Sequence, residues 1–330
     1  MTQGLASELL TGPTGEPDPA GALDPSSARA PLGRREEPLI DCQDNGIGDV
    51  VVACWIVATA RAAGRSVTLN PRGRADVATL LGIDGRHLTS RHGPNWTKTA
   101  SLGLEYEYAN AHDGERTRFN LWCESLGLPG RTPVRPAYVE DPEDGHWADD
   151  EWQRMRGAGT RLMVAMFPGA TRSTRVWPRA YFIDLANDLA ARGATVLGLG
   201  SDAAEIHGFP AHWWWGLPLA RVAALVKRAD LVIANDSGPA HLAGTIGVPT
   251  VAICGPTDGR IVYGHDPNVW PVALHPETLA CTGCHFSRHH GYREACDVGG
   301  CQALMRLTPD LLKLAAVRSW KRSFGAQANP

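Results

Sequence analysis

From residue 38 onward the chain alternates short apolar runs with longer amphipathic stretches. That alternation predicts a mostly parallel α/β sheet, because parallel strands need crossover helices between them. Pro38–Cys42 predicts a strand, Asp49–Ala63 a helix closed by Gly64, and Ser66–Asn70 the next strand, which together form one βαβ unit. Residues 84–150 are rich in His, Gly and acidic residues and show little periodicity beyond a helix predicted over Phe119–Leu126. The run from Pro133 to Asp150, with three prolines and many carboxylates, predicts the end of the first domain.

The second part is more regular. Strands are predicted over Arg161–Phe167, Thr195–Leu199, Leu231–Ala234 and Val248–Cys254. The helices between them run from Trp177-Pro178 to Arg192, over Leu219–Arg228 and over Pro239–Ile246, and a last one runs from Pro309 to about Arg322. Pro178 suits an early helical position, and Gly193 closes that helix. There is no internal repeat. The reading is a leader at 1–38, a Rossmann-like domain at 39–150 and a second at 151–330, in keeping with about two domains for 330 residues.

The leader is Pro, Gly, Ala and Ser with scattered charges, which cannot bury enough surface to offset chain entropy and predicts disorder. It has no basic start followed by an apolar stretch, and no run approaches the roughly 20 apolar residues of a membrane span, so a cytoplasmic chain is expected. Hydrophobic content of 43% with 20% charged residues is ordinary for a globular protein. A formal net charge of −3 gives no general footprint for nucleic acid.

Ligands of open α/β sheets bind beyond the carboxyl ends of strands. The strongest loop there is Asn235-Asp236-Ser237-Gly238-Pro239-Ala240-His241, directly after an apolar strand. Ser237 suits the cap of the following helix, Gly238 allows close backbone approach, and Pro239 gives up an amide proton that the first turn would not use. Free N–H groups and the helix dipole then make an anion site suited to a diphosphate, with His241 in the first turn. Phe167-Pro168-Gly169-Ala170, followed by Thr171 to Arg175, adds two arginines and several hydroxyls at another strand end. Beside a phosphate such an arginine neutralises leaving-group charge. Gly255-Pro256-Thr257-Asp258 follows a third strand, and Gly46-Ile47-Gly48-Asp49 forms the first turn of the amino-terminal unit.

Four of the eight cysteines fall within 281–301. Cys281-x-x-Cys284, then Cys296 and Cys301, predict a structural zinc or single-iron finger, since four thiolates leave no open position. Cys42, Cys54, Cys123 and Cys254 lie alone in apolar contexts and are expected to be small buried hydrophobes. His212-Trp213-Trp214-Trp215 is expected at a domain interface or in the core.

In order along the chain, GIGDVVV at 46–52, FPGATRSTRVWP at 167–178, NDSGPAHLAGTIGVPTVAICGPTD at 235–258 and CTGC…C…CQALMRLTP at 281–309 resemble glycosyltransferase family 9, the heptosyltransferases. The resemblance runs from about Leu39 to about Val317 and is patchy over 84–150. It implies a GT-B fold, two facing Rossmann-like domains with a cleft between them, and inverting transfer from an ADP-sugar, usually ADP-heptose, to an acceptor hydroxyl without a catalytic metal. No Asp-x-Asp pair occurs. By position Asp49 matches the family's general base. Arg175 stands where relatives often carry a lysine reaching the donor phosphate. Asp236, Ser237, Gly238 and His241 match the donor loop, Thr257 and Asp258 the loop beside it, and Gly48 and Gly169 are placed with the donor contacts. A comparable finger in the autotransporter heptosyltransferases holds iron, which raises iron over zinc and makes protein O-heptosylation, and a homo-oligomer, live alternatives. Trp55 stands where relatives commonly have proline, and the first domain is shorter than usual, which leaves the acceptor open among a glycan, a small natural product and a protein. The rival from another class is a metal-finger nucleic-acid-binding protein using Arg288, His289, His290 and Arg293, against which the acidic balance argues.

Overall fold

The computed structural model describes residues 9–11, 38–42, 46–84, 99–101, 116–128, 132–209, 212–286, 296 and 300–314. In chain order the elements are β1 (Leu9–Thr11), β2 (Leu39–Asp41), α1 (Ile47–Ala62), β3 (Thr68–Asn70), α2 (Ala75–Leu80), β4 (Thr99–Ser101), α3 (Arg118–Ser125) and α4 (Pro142–Met155). There follow β5 (Leu162–Phe167), α5 (Arg179–Ala191), β6 (Ala194–Gly200), α6 (Ala203–Ile206), β7 (His212–Trp215), α7 (Leu219–Lys227) and β8 (Leu231–Asn235). The chain continues with α8 (Gly238–Thr245), β9 (Thr250–Ile253), α9 (Gly259–Tyr263), β10 (Val269–Leu274) and α10 (Gln302–Arg306). Residues 309–314 are helical.

Two sheets result. The larger has the order β1-β10-β9-β8-β5-β6-β7 and the smaller β3-β2-β4. Every pairing is parallel except β1 with β10. The strand order of the larger sheet reverses between β8 and β5, so the loops after these two strands flank its topological switch point. β8 and β9 are buried along their whole length, as strands covered on both faces must be.

Helix α1 is buried at every position from Val50 to Val57, so it is apolar all round rather than amphipathic. The reason is its place between the small sheet and α8 of the other half. One hydrophobic cluster runs through both halves, with Ile40, Val52 and Ile56 on one side and Ala240, Ala243 and Val269 on the other. The expected parallel α/β architecture is therefore present, with the two halves in contact along α1 and α8.

Several boundaries differ from expectation. The domain boundary set at residue 150 falls inside α4. Asp141 caps that helix by accepting from the Glu143 amide at 2.8 Å, and Pro142 occupies the first turn. The helix packs on α7, through Trp152 Nε1 donating to Leu225 O at 2.8 Å and Asp144 pairing with Arg221 at 3.2 Å, while Arg228 at the end of α7 pairs with Asp149 at 2.9 Å and with Glu140, just before the helix, at 2.7 Å. The disordered leader expected over 1–38 does not extend to Leu9–Thr11, which pair with Leu274, Ala273 and Val272. The remaining leader up to residue 37, the basic residues 288–293 and the end of the last predicted helix lie outside the described residues. The triple tryptophan forms the edge strand β7. Trp214 packs on Trp147 at 6.1 Å between centroids, while Trp213 and Trp215 stay exposed, so only one of the three is interior.

No helix among the described residues is long and apolar enough to cross a membrane.

Candidate active site

The turn before α1 and the turn before α8 meet face to face. A Cβ on Gly238 would lie 2.5 Å from Ile47 Cβ and 3.2 Å from the Gly48 amide nitrogen. A Cβ on Gly48 would lie 2.8 Å from His241 Cδ2, and one on Gly46 would strike the Asp49 carboxylate at 2.7 Å. At Gly48 and Gly238 the approach of the two turns leaves no room for a larger side chain, whereas at Gly46 only the Asp49 carboxylate of the same turn would have to move. The sequence residues Gly48, Asp49, Gly238 and His241 are thus brought together.

Asp49 stands in the first turn of α1, and its side chain keeps 25% of its surface open. Arg118, from the start of α3, is almost wholly buried and brings NH1 to 3.4 Å of the Asp49 carboxylate. Its guanidinium also lies over the Trp122 ring at 5.5 Å. Sequence reasoning missed Arg118, because the pair joins positions 69 residues apart.

Asp236 is the carboxylate of the expected donor loop. It is buried, and both carboxylate oxygens are already used. Tyr263 OH donates to Oδ1 at 2.6 Å, Thr257 Oγ1 donates to Oδ2, and Arg175 NH1 is 3.5 Å from Oδ2. Burial alone would raise this carboxyl, but the charge of Arg175 and the two hydroxyl bonds outweigh it and hold it below the usual carboxylate range. Asp236 therefore clamps the loops bearing Thr257 and Arg175 around the start of α8. Tyr263 is a second residue that sequence reasoning missed, since α9 itself escaped notice.

Ser237 does not cap α8. It sits at the cap position, but its hydroxyl donates backwards to Asn235 O at 3.1 Å, so no side chain covers the first amides of the helix. The Ala240 amide donates to Ser237 O at 3.1 Å and Pro239 has no N–H, so the Gly238 amide and the positive end of the dipole are what remain for an anion. Nearby, Thr174 Oγ1 and Arg175 Nε are buried without a hydrogen-bond partner among the described residues, a state that native structures rarely leave without a ligand or water. Asn235 fixes the loop that carries them, donating to Pro168 O at 2.6 Å and accepting from the Trp177 amide at 2.9 Å.

His241 is buried against Tyr263, with ring centroids 4.4 Å apart. Burial first, then the positive charges of Arg118, His265 and Arg175 against the opposing Asp236, keep its pKa well below the ordinary value, so the ring is neutral at neutral pH. Asp258 is engaged locally, capping α9 through the Arg260 amide at 2.9 Å and pairing with the Arg260 guanidinium at 2.7 Å. Gly169 is the close neighbour of Glu205, whose carboxylate would lie 2.4–2.5 Å from a Cβ there. Glu205 also accepts from Ser201 at 2.7 and 2.8 Å.

The cysteine segment is tied to this site. The Gly283 amide donates to Gly255 O at 2.9 Å and the His285 amide to Pro256 O at 2.7 Å, so the segment braces the loop that carries Thr257. Burial pushes the Cys284 thiol up to about 11, with Cys301, Cys281 and Cys296 adding to the rise. Among the described residues, however, no three metal-ligating side chains are arranged as a metal site. The donor set suits zinc or iron in kind, but the expected four-cysteine finger is not formed as a metal site among the described residues.

A family model for glycosyltransferase family 9 (heptosyltransferase) matches residues 107–285, just over half of the chain. That stretch includes Arg118, Arg175, Asp236, His241 and Thr257, and Asp49 lies before it. Lipopolysaccharide heptosyltransferase 1 of Pseudomonas aeruginosa is 37% identical over 155 residues, which cover 44% of this chain and 41% of that protein's length. Among solved structures, ADP-heptose LPS heptosyltransferase II of E. coli aligns with a TM-score of 0.56 at 14% identity, covering 87% of this chain and 99% of its own. The iron-containing dodecameric glycosyltransferase TibC of enterotoxigenic E. coli aligns with a TM-score of 0.61 at 19% identity, covering 90% and 82%. These two likenesses, at low identity, concern the α/β fold. By the family match across its central half, the chain belongs to glycosyltransferase family 9, the heptosyltransferase family.

Proposed function

We propose that this chain is an inverting glycosyltransferase that moves a heptose from ADP-heptose to an acceptor hydroxyl, without a catalytic metal. The observation that carries this reading is the meeting of the Gly48-Asp49 turn with the uncapped start of α8. A carboxylate from one half and an anion site from the other then face one small space. In support, TibC has been solved in complex with ADP-D-beta-D-heptose.

Asp49 takes the proton of the acceptor hydroxyl as that oxygen bonds to the anomeric carbon, on the face opposite the diphosphate. The bond from the anomeric carbon to the diphosphate oxygen breaks, and its electron pair leaves with ADP. General-base help of this kind is worth about 10²–10⁴-fold. Arg118 keeps a positive charge at the Asp49 carboxylate and so favours the ionised form that can accept a proton. On the leaving side, the Gly238 amide at the start of α8, Thr174 and Arg175 meet the charge that builds on the diphosphate, which is how such a site dispenses with a cation. Asp236 holds Arg175 and Thr257 in place rather than touching the donor.

In the same reading Cys281, Cys284, Cys296 and Cys301 hold one structural iron or zinc, which fixes the 255–258 loop from outside the reaction. TibC, described as iron-containing and dodecameric, favours iron and an oligomer.

Calorimetric titration with ADP, UDP, GDP and dTDP in the absence of magnesium tests the donor half. Preference for ADP, retained in Asp49→Asn while ADP release from ADP-heptose in the presence of acceptor collapses, is the expected result. Failure of all four nucleotides to bind would overturn the reading at its donor site.

A further inference from the structure

The turn after β3 carries a feature that the donor half does not use. Arg72 has φ 54°, and among the described residues it is the only non-glycine residue on the positive side. The turn is closed by the Arg74 amide donating to Pro71 O at 3.0 Å. A left-handed backbone costs a residue with a Cβ about 1–2 kcal/mol, and glycine or asparagine is the usual occupant. An arginine held there points to a need for its side chain.

That side chain is fixed at both ends. The Arg72 amide donates to Asn70 Oδ1 at 3.2 Å, and the guanidinium clasps Asp41 with Nε donating to Oδ1 at 2.6 Å and NH2 donating to Oδ2. Asp41 and Asn70 are register partners at the carboxyl ends of β2 and β3, and both are buried. Two strand ends therefore aim their polar side chains at one guanidinium. Two of its N–H bonds are spent on Asp41. NH1 has no partner among the described residues, and 28% of the side chain stays open. Asp41 ends β2, and Asp49 stands in the first turn of the helix that follows that strand, so base and arginine both lie beyond the carboxyl ends of the small sheet.

We propose that Arg72, oriented by Asp41, binds an oxyanion carried by the acceptor, a phosphate or a carboxylate, and so places the acceptor hydroxyl at Asp49. This rests on the reading of Asp49 as the base on the acceptor side. A guanidinium already locked by a buried carboxylate offers its remaining N–H bonds in a fixed plane, which suits the oxygens of a phosphate or carboxylate and spares the entropy of ordering a free arginine. The bland alternative is a salt bridge that only pins the turn, and that role predicts no anion binding.

The test uses the whole wild-type chain saturated with ADP, which fills the diphosphate site. Glucose 6-phosphate and glucuronate are added in turn, with potassium chloride at matched ionic strength as the control. Labelling of Arg72 by phenylglyoxal is followed by peptide mass spectrometry. Slowing of Arg72 labelling by about tenfold with one of the two anions, and not with chloride, supports the proposal, and the more protective anion tells phosphate from carboxylate. Arg72→Gln should then lose about tenfold in affinity for that anion while ADP affinity stays the same. Labelling unchanged by both anions overturns the proposal, as does equal anion binding by a folded Arg72→Gln. The labelling experiment decides alone if that variant fails to fold. Loss of ADP binding would instead count against the donor site, so the two failures are distinguishable.

Discussion

The indole nitrogen of Trp55 donates to the Thr245 hydroxyl at 2.8 Å, a buried bond between α1 and α8 that joins the two halves of the chain. The same hydroxyl lies 3.5 Å from Asp266 Oδ2, and the Trp55 ring meets His265 edge-on at 5.2 Å. These contacts explain how a tryptophan is accommodated in the first helix.

Trp55→Phe removes this bond while filling most of the space. A stability loss of about 1–2 kcal/mol is expected, read as a lower urea midpoint with an unchanged slope. An unchanged midpoint would mean that the bond contributes nothing across the junction.

Asp266 makes stability depend on pH. Burial raises its carboxyl to about 6, against the lowering effects of the Asn268 amide, Arg135 and Thr245. A carboxyl raised in the folded state favours folding most below its unfolded value, near 4, and that advantage is lost as pH rises through about 6. The chain should therefore lose about 2 kcal/mol of this contribution between pH 4 and 6, and Asp266→Asn should flatten the curve in that window. Denaturant unfolding at half-unit pH steps measures it. A variant with the same slope as the parent would remove Asp266 as the cause.

Gly238→Ala puts a methyl group where Ile47 Cβ lies 2.5 Å away. Overpacking of this kind costs about 1–3 kcal/mol, and the strain falls between the two catalytic turns. Loss of ADP affinity together with a lower Tm is the expected outcome. A variant with parental Tm and affinity would show that the two turns move apart freely.

The thiol cluster predicts about one iron or zinc per chain by elemental analysis. Cys284→Ser should abolish the metal and, because the segment bonds to Gly255 and Pro256, also weaken ADP binding. Metal loss with full ADP affinity would separate the finger from the donor loop.

Much of the donor side was legible in the sequence because it is local. A buried strand, a glycine, a proline and a helix start follow one another from Asn235 to His241, so the strand, turn and helix of this loop could be read locally. What sequence reasoning missed is non-local or breaks its own pattern. Arg118 reaches Asp49 from another helix, and Tyr263 reaches Asp236 from α9. β10 contains Pro271, which argues against a strand, yet Pro271 lies opposite Ala252 in a parallel pairing. β7 has three adjacent tryptophans and no alternation, so nothing in its composition distinguished an edge strand from a loop. The domain end expected before residue 150 is a helix whose carboxylates pair with Arg221 and Arg228, partners about 80 residues away that no local pattern reveals.

The cluster of apolar side chains that passes from Ile40 through α1 into α8 has a mechanical consequence. Two bodies joined only by a strap can swing apart on a hinge. Two helices packed flank to flank can only slip along each other by an ångström or two without uncovering apolar surface. Admission of substrate here is then a matter of small shear between α1 and α8, with the glycines at 48 and 238 as the smooth bearing.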